Sequence, residues 1–402
     1  VKVSQTDLKD FYISEFSPYI FGKISKEDFI KNNSNYVDLF YKNENICKTF
    51  IRGQSKAQPL LNYALPSIDL PTPTNMNYID LSGKDVVVGI LEAGGIIDEN
   101  NENFKNRPNV NIRREWYYHE HVTNHATQVA AIATGKYGIA QNCTLLSVEL
   151  AGNPVSEIEW MLNKNVNIIN NSWSEQTPTG YYSSVSAYCD YISRNNWVTF
   201  INSAGNEGGK SNYVGNPGLA YNSITVGATN KWGQFLASYS SYKENFSISK
   251  PTIVAPGYVN FNYNPSNKSI RGTSFSAPIV TGMLALLMEK YPALKVFPEK
   301  SISLITATAN DIFYSSYDTI DTSGLRDRSG AGIVNFRKFL NSYDNSVCFS
   351  NSSNTQNIIN EKNIYLKRGQ KIRISLSWLA SAEGYVNTDI VTDYDLFFKK
   401  GN

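Results

Sequence analysis

The heptad Gly272-Thr273-Ser274-Phe275-Ser276-Ala277-Pro278 runs straight into an apolar stretch from Ile279 to Met288. A serine among small residues at the mouth of a helix suits a nucleophile. Small neighbours admit a substrate carbonyl, and the unused N–H groups and partial positive charge of a helix N-terminus favour an oxyanion. The same heptad also reads as a plain capping turn, so its chemistry depends on what the rest of the chain brings. His125-Ala126-Thr127 opens a second helical pattern, with small and apolar residues at Thr127, Ala130, Ala131 and Ile132. Glu92 closes the run Val86-Val87-Val88-Gly89-Ile90-Leu91, just ahead of Gly94-Gly95. Asn206 lies in Ser203-Ala204-Gly205-Asn206-Glu207-Gly208-Gly209. An asparagine amide beside glycine can turn its N–H into a cleft, as an oxyanion donor must. Taken singly, Glu92 also reads as a solvated carboxylate at a strand end, and Asn206 as part of a Gly-Asn turn.

The elements that would position these groups are legible. Val86 to Leu91 is apolar at every residue, as in a parallel strand buried on both faces. Its C-terminal end is where ligands and catalytic groups gather in open α/β sheets. Val166 to Ile169 leads in the same way into Asn170-Asn171-Ser172-Trp173-Ser174, and Val198 to Ile201 leads into Ser203 and Ala204.

In this order the stretches resemble the subtilisin-like serine proteases of the subtilase superfamily, whose sequence order is acid, histidine, asparagine, serine. Tyr213-Val214-Gly215-Asn216-Pro217-Gly218 and Ile224-Thr225-Val226-Gly227-Ala228 resemble that family's specificity-pocket wall and the strand after it. Ala237 to Ser241, Lys250-Pro251 through Ala255-Pro256-Gly257, and Gly330 to Asn335 match further blocks, so the likeness covers roughly residues 80 to 340. The resemblance implies a three-layer α/β sandwich with a mostly parallel central sheet. It implies a serine endopeptidase in which Ser274 is the nucleophile, His125 the general base and Glu92 the orienting acid. Asn206 and the Ser274 N–H would hold the oxyanion. Ser172, Trp173 and Ser174 would pair with an extended protein or peptide substrate. Ser203, Ala204, Gly205 and Gly215 would line its side-chain pocket, with a large apolar or aromatic residue preferred before the scissile bond.

Two departures stand out. The family's acid is aspartate in Asp-Thr/Ser-Gly, whereas this chain has Glu92-Ala93-Gly94; its His-Gly-Thr is here His125-Ala126-Thr127. The added methylene moves the carboxylate by more than about an ångström, so the backbone must sit back for Glu92 to reach the histidine. Asp98 is the fallback acid. Neither change removes a functional group, which favours an active site over a rival reading, a catalytically inactive binding protein.

The 402 residues are 41% hydrophobic and 18% charged, which suits one large domain with appendages. We expect an N-terminal extension or pro-segment remnant over residues 1–79, with a helix between Asp7 and Tyr19. A catalytic domain would cover 80–345. The start of a C-terminal β-sandwich would occupy 346–402, where Ile372 to Trp378 alternates like a strand and Asp393 to Phe397 follows. A net charge of +2 argues against nucleic acid as a main partner. No stretch reaches the roughly 18 apolar residues of a membrane span. Cys47, Cys143, Cys189 and Cys348 form no C-x-x-C pair, so two disulfides of undetermined pairing remain open. His119, His121 and His125 spell a metal-like H-x-H-x-x-x-H, but their tyrosine- and glutamate-rich surroundings favour loop histidines over a metal hydrolase. No cofactor or catalytic metal is expected, and calcium sites are not legible. The chain opens at Val1 without a signal-like segment; a secreted or cell-surface location is expected, with the export signal outside it.

Overall fold

The computed structural model describes residues 9–13, 15–16, 20–23, 58–61, 63–72, 79–113, 121–150, 154–175, 182–208, 214–242, 249–262, 267–312, 326–348 and 364–381. Near the N-terminus, where a helix is expected from Asp7 to Tyr19, the chain forms an antiparallel hairpin of β1 (Lys9–Ile13) and β2 (Ile20–Lys23). The segment Phe11-Tyr12-Ile13 is aromatic and β-branched, the composition that fits a pleated surface better than a helix. The turn beyond β1 is pinned to the main body: Glu159 accepts from the N–H groups of Glu15 and Phe16 at 3.1 and 3.4 Å.

The strand β3 (Gln58–Leu60) joins a second, three-stranded antiparallel sheet described below. A short helix, α1 (Ala64–Ser67), follows, and Leu61, Leu65, Ile68 and Leu70 lie in the main core with Phe336 and Phe339. The apolar runs then build a seven-stranded sheet: β4 (Val87–Ala93), β5 (Val110–Ile112), β6 (Thr144–Leu150), β7 (Ile168–Asn171), β8 (Thr199–Ser203), β9 (Ser223–Thr229) and β10 (Ile253–Pro256). Their order is β10-β9-β8-β7-β4-β6-β5, and every pairing is parallel.

Helices cover both faces, which makes the three layers. Val88, Ile90, Ile168 and Ile201 belong to one core cluster, with α2 (Asn124–Thr134) and α5 (Thr273–Lys290). Leu91, Ile169 and Phe200 belong to the other, with α3 (Pro154–Leu162) and α4 (Ser184–Asn196). Successive strand residues point to opposite faces, so covering both requires the unbroken apolar runs seen in the sequence. The antiparallel sheet has the order β12-β11-β3, from β11 (Tyr258–Asn262) and β12 (Asn267–Arg271), and β12 feeds directly into Gly272 and α5.

The chain continues through α6 (Pro298–Thr308) and the Gly330–Asn335 block, where Ile333 bridges Val254 of β10. Asn335 caps α7 (Phe336–Ser342) by accepting from the Lys338 N–H at 2.8 Å. Residues 372–378 form no strand. The Ser375 carbonyl instead accepts from Ser303 of α6 at 3.0 Å. Ala380 exchanges two hydrogen bonds with the buried Asn222 side chain, at 2.7 and 2.9 Å. These anchors replace the ladder partners that a strand would need. Asp393 to Phe397, Cys47 and His119 lie outside the described residues. Cys143 and Cys189 are buried free thiols and Cys348 is an exposed one. Among the described residues no helix is long and apolar enough to cross a membrane.

Helices α2 and α5 pack closely at Gly282, where an added Cβ would meet the Ile139 Cβ at 2.7 Å and the Ala133 carbonyl oxygen at 2.9 Å. Mid-helix Gly→Ala normally stabilises by about 1 kcal/mol, but a backbone oxygen cannot move aside as a flexible side chain can. Gly282→Ala should therefore lower stability by about 1–3 kcal/mol. Urea unfolding checks this: the midpoint should fall with the m-value unchanged.

Candidate active site

Glu92 occupies the next-to-last position of β4 and is 2% exposed. Its Oε2 lies 2.8 Å from His125 Nδ1, so the longer side chain does reach the imidazole. Two short backbone links bring these residues together. The Ile96 N–H donates to the His121 carbonyl at 2.8 Å, and the Thr123 N–H donates to the Ile96 carbonyl at 3.0 Å. A side chain at Gly95 would strike the His121 carbonyl and Thr123, so glycine there is what lets the exit of β4 approach the start of α2. Thr123 caps that helix, accepting from the Ala126 N–H at 3.2 Å.

Burial alone would lower the His125 pKa, but the charge and hydrogen bond of Glu92 outweigh it and hold the pKa above the usual 6.5. Among the described residues Glu92 Oε1 is buried with no hydrogen-bond partner, and the His125 Nδ1–H is the one donor to this carboxylate. Asp98 is engaged elsewhere: its Oδ1 accepts from the Asn100 N–H at 3.0 Å in a local turn. His121 reaches Glu149 at 3.3 Å and is largely exposed. Among the described residues no three His, Cys, Asp or Glu side chains cluster to hold a metal ion.

Ser274 is the second residue of α5, a helix buried from Thr273 to Met288. Pro278 sits within this helix and has no N–H for the carbonyl of Ser274, its i−4 partner. The Ser172 hydroxyl donates to that freed carbonyl at 2.9 Å. In return, Ser274 Oγ donates to the Ser172 carbonyl at 3.1 Å. Asn170 steadies the arrangement, donating to Ser172 Oγ at 2.9 Å and accepting from Thr281 of α5 at 2.9 Å. Ser172 thus emerges as an anchor of the Ser274 backbone as well as a residue of the expected substrate wall. The signal for this in the sequence was Pro278, four residues after the serine.

Among the described residues Ser274 Oγ bonds to this carbonyl rather than to an imidazole nitrogen of His125. The Phe275 ring packs on the imidazole at 5.5 Å between centroids. Asn206 Oδ1 accepts from both the N–H and the hydroxyl of Thr273, at 2.9 and 3.1 Å. Two donors on one oxygen fix the orientation of the amide, and its N–H₂ is left to point away from the helix. The Gly205 N–H, at φ +106, donates to Thr273 Oγ1 at 3.1 Å.

The other wall residues cluster as well. Ser203 ends β8, Ala204 bonds to β9 through the Val226 carbonyl at 3.0 Å, and Trp173 is buried. Beyond Ser174, Glu175 and Asn216 exchange backbone hydrogen bonds at 2.7 and 3.0 Å. A Cβ on Gly215 would lie 2.9 Å from both the Glu175 carbonyl oxygen and the Ser174 Cβ. The bare backbone at Gly215 therefore permits this close approach.

A model of the subtilase family matches residues 1–335. The chain belongs to that family. It is 28% identical to subtilisin DY of Bacillus licheniformis over 271 residues, 63% of this chain and 93% of that protein. It is 23% identical over 299 residues to fervidolysin of Fervidobacterium pennivorans, 63% of this chain but only 41% of that protein. The solved prenylagaramide maturation protease PagA shares the fold, with a TM-score of 0.55 at 24% identity, covering 69% of this chain and all of that one. This subtilase therefore keeps the three-layer core of proteases from which it has diverged widely in sequence.

Two outcomes follow from the geometry. Ser172→Ala would leave the Ser274 carbonyl buried without its donor and should cost about 1–3 kcal/mol by urea unfolding. Because the folded-state pKa of His125 is raised, the Glu92–His125 pair stabilises the fold fully below about pH 6.5, and this contribution fades as pH rises through the raised value. Glu92→Gln should lower the His125 pKa, which an NMR titration of the ring protons would read directly.

Proposed function

We propose that this subtilase is a serine endopeptidase acting through an acyl-enzyme on Ser274. The observation that carries the reading is the 2.8 Å contact between the buried Glu92 and the half-buried His125, whose ring packs on Phe275 in the first turn of α5. Ser274 Oγ attacks the scissile carbonyl carbon while His125 Nε2 takes its proton. The same proton then passes to the leaving amine, and water hydrolyses the ester by the reverse roles. Glu92 holds Nδ1–H, which leaves Nε2 as the acceptor, and its charge stabilises the imidazolium.

The oxyanion would sit between the Asn206 amide N–H and the Ser274 backbone N–H, one of the first-turn donors the helix leaves unused. A positioned donor contributes about 3–4 kcal/mol in such a site. The helix dipole contributes about 0.3–1 kcal/mol, so the amides dominate. A substrate strand would pair along Ser172 to Ser174, with the residue before the bond near Ala204 and Gly215. A large apolar or aromatic residue is our assignment there. Before attack, the Ser274 side chain must rotate from the Ser172 carbonyl toward His125. Catalytic hydrogen bonds commonly tighten in this way only when substrate is bound. No cofactor is needed for these steps, and we assign the protein to the cell surface or exterior.

A fluorophosphonate probe should label the protein and fail on Ser274→Ala; absent labelling of the folded protein would identify an inactive binding protein instead. Glu92→Gln should lower kcat by roughly 10⁴, and Glu92→Asp by an intermediate amount, because this backbone is set for the longer side chain. Asn206→Leu should lower kcat roughly 10²–10³-fold with KM little changed. A silent Glu92→Gln would refute the assigned acid.

A further inference from the structure

A cleft of about 250 Å³ opens beside Asn206, lined by Asn206, Glu207, Gly208, Ser238, Tyr239 and Arg271. None of Ser172 to Ser174, Ser203 to Gly205 or Gly215 lines it, so it is separate from the wall assigned to the residue before the scissile bond. The cleft adjoins Asn206, the proposed oxyanion donor, without including that wall. A strand bound along the wall with its scissile carbonyl at Asn206 would carry its leaving-group side toward this cleft.

Arg271 ends β12, three residues before Ser274. Its guanidinium lies over the Tyr239 ring, 5.8 Å from the centroid. That ring is held in turn: its hydroxyl donates to the Gly257 carbonyl at 3.0 Å, and its face tilts against Tyr258 at 5.8 Å between centroids. Burial, reinforced by Tyr258, raises the Tyr239 pKa above the usual phenol range, so the ring stays a neutral support for the cation. Among the described residues no carboxylate pairs with Arg271. The cleft's other charge, Glu207, is fixed only at its backbone N–H, which Ser241 Oγ accepts at 3.0 Å. The cation is thus anchored by an aromatic face, while the anion has no side-chain support.

We propose that this cleft takes an acidic side chain, Asp or Glu, from the leaving-group side of the substrate, with Arg271 as its counter-ion. The proposal rests on the endopeptidase reading. A guanidinium offers a planar fork to a carboxylate, and resting on a ring reduces the freedom lost on pairing. Arg271 is exposed, so solvent screening keeps the preference moderate.

The test uses matched fluorogenic peptides with Glu, Gln or Lys at the first and second positions after the bond. The protein should cleave the best Glu peptide about three- to tenfold faster in kcat/KM than its Gln counterpart. Raising salt should shrink that ratio. Arg271→Gln should bring the ratio to about one, Arg271→Glu should invert the order toward Lys, and Glu207→Gln should leave the Glu-over-Gln ratio standing. Equal rates in the parent protein, a ratio that survives Arg271→Gln, or a Lys preference that Glu207→Gln abolishes would overturn the subsite. Fluorophosphonate labelling of the same samples separates the two levels. Labelled protein without the acidic preference refutes the cleft assignment alone, whereas unlabelled, inactive protein refutes the endopeptidase reading and the subsite with it.

Discussion

The site depends on one buried helix whose hydrogen-bond ladder is broken on purpose near its start. With Pro278 inside α5, the Ser274 carbonyl has no helical donor, and burial forbids leaving it to water. The hydroxyl of Ser172 at the end of β7 takes the place of the missing N–H. The defect therefore becomes a tie between the helix that carries Ser274 and the strand end that carries Ser172. Asn170 and Thr281 extend the tie one turn further along the helix. A buried polar network of this kind is tolerable only because its members are satisfied by one another.

A second constraint joins Glu92 to His125 across different elements. Glu92 lies at the end of β4 and His125 opens α2, and the Ile96–Val122 bridge, with the Asp98 N–H donating to Thr127 Oγ1 at 2.8 Å, holds the two chain segments in register. Close approach there needs the bare backbone of Gly95. With the segments fixed, Glu92 Oε2 meets the imidazole, while among the described residues its Oε1 is buried without a hydrogen-bond partner. An oxygen without other donors strengthens the pull of this carboxylate on the imidazole proton, in line with the raised pKa of His125.

Much of this was legible in the sequence because the physics is local. The runs before Glu92, Asn170 and Ser203 are apolar at every residue, and only a sheet covered on both faces needs that. The glycines after Glu92 and beside Asn206 mark close approach and positive φ. What escaped was long-range. The hairpin at Lys9–Lys23 is held by Glu159, and the run at Ile372–Trp378 is held by side chains from α6, with Asn222 fixing Ala380 just beyond it, rather than by a ladder. Alternation in a short window cannot distinguish a strand from a segment clamped by distant partners. The contact of Gly215 with Glu175 was hidden for the same reason, since those residues are distant in the chain.

The resting hydrogen bond of Ser274 deserves a physical account, because it is directed away from the base. Ser172 has two backbone-linked groups at this junction, a hydroxyl that holds the Ser274 carbonyl and a carbonyl that holds the Ser274 hydroxyl. The first bond fixes main chain and must persist for the helix to stay satisfied. The second fixes a single rotor, and a substrate N–H pairing along Ser172 in the proposed binding mode would take over the carbonyl that it releases. A neutral hydroxyl–carbonyl bond contributes about 0.5–1.5 kcal/mol net, whereas a lost oxyanion donor costs about 3–4 kcal/mol. The first term is small beside the barrier terms that the proposed reaction must manage. The orientation of Ser274 in the free protein is therefore a shallow preference, and it weighs far less on the functional reading than the pairing of the buried Glu92 carboxylate with His125.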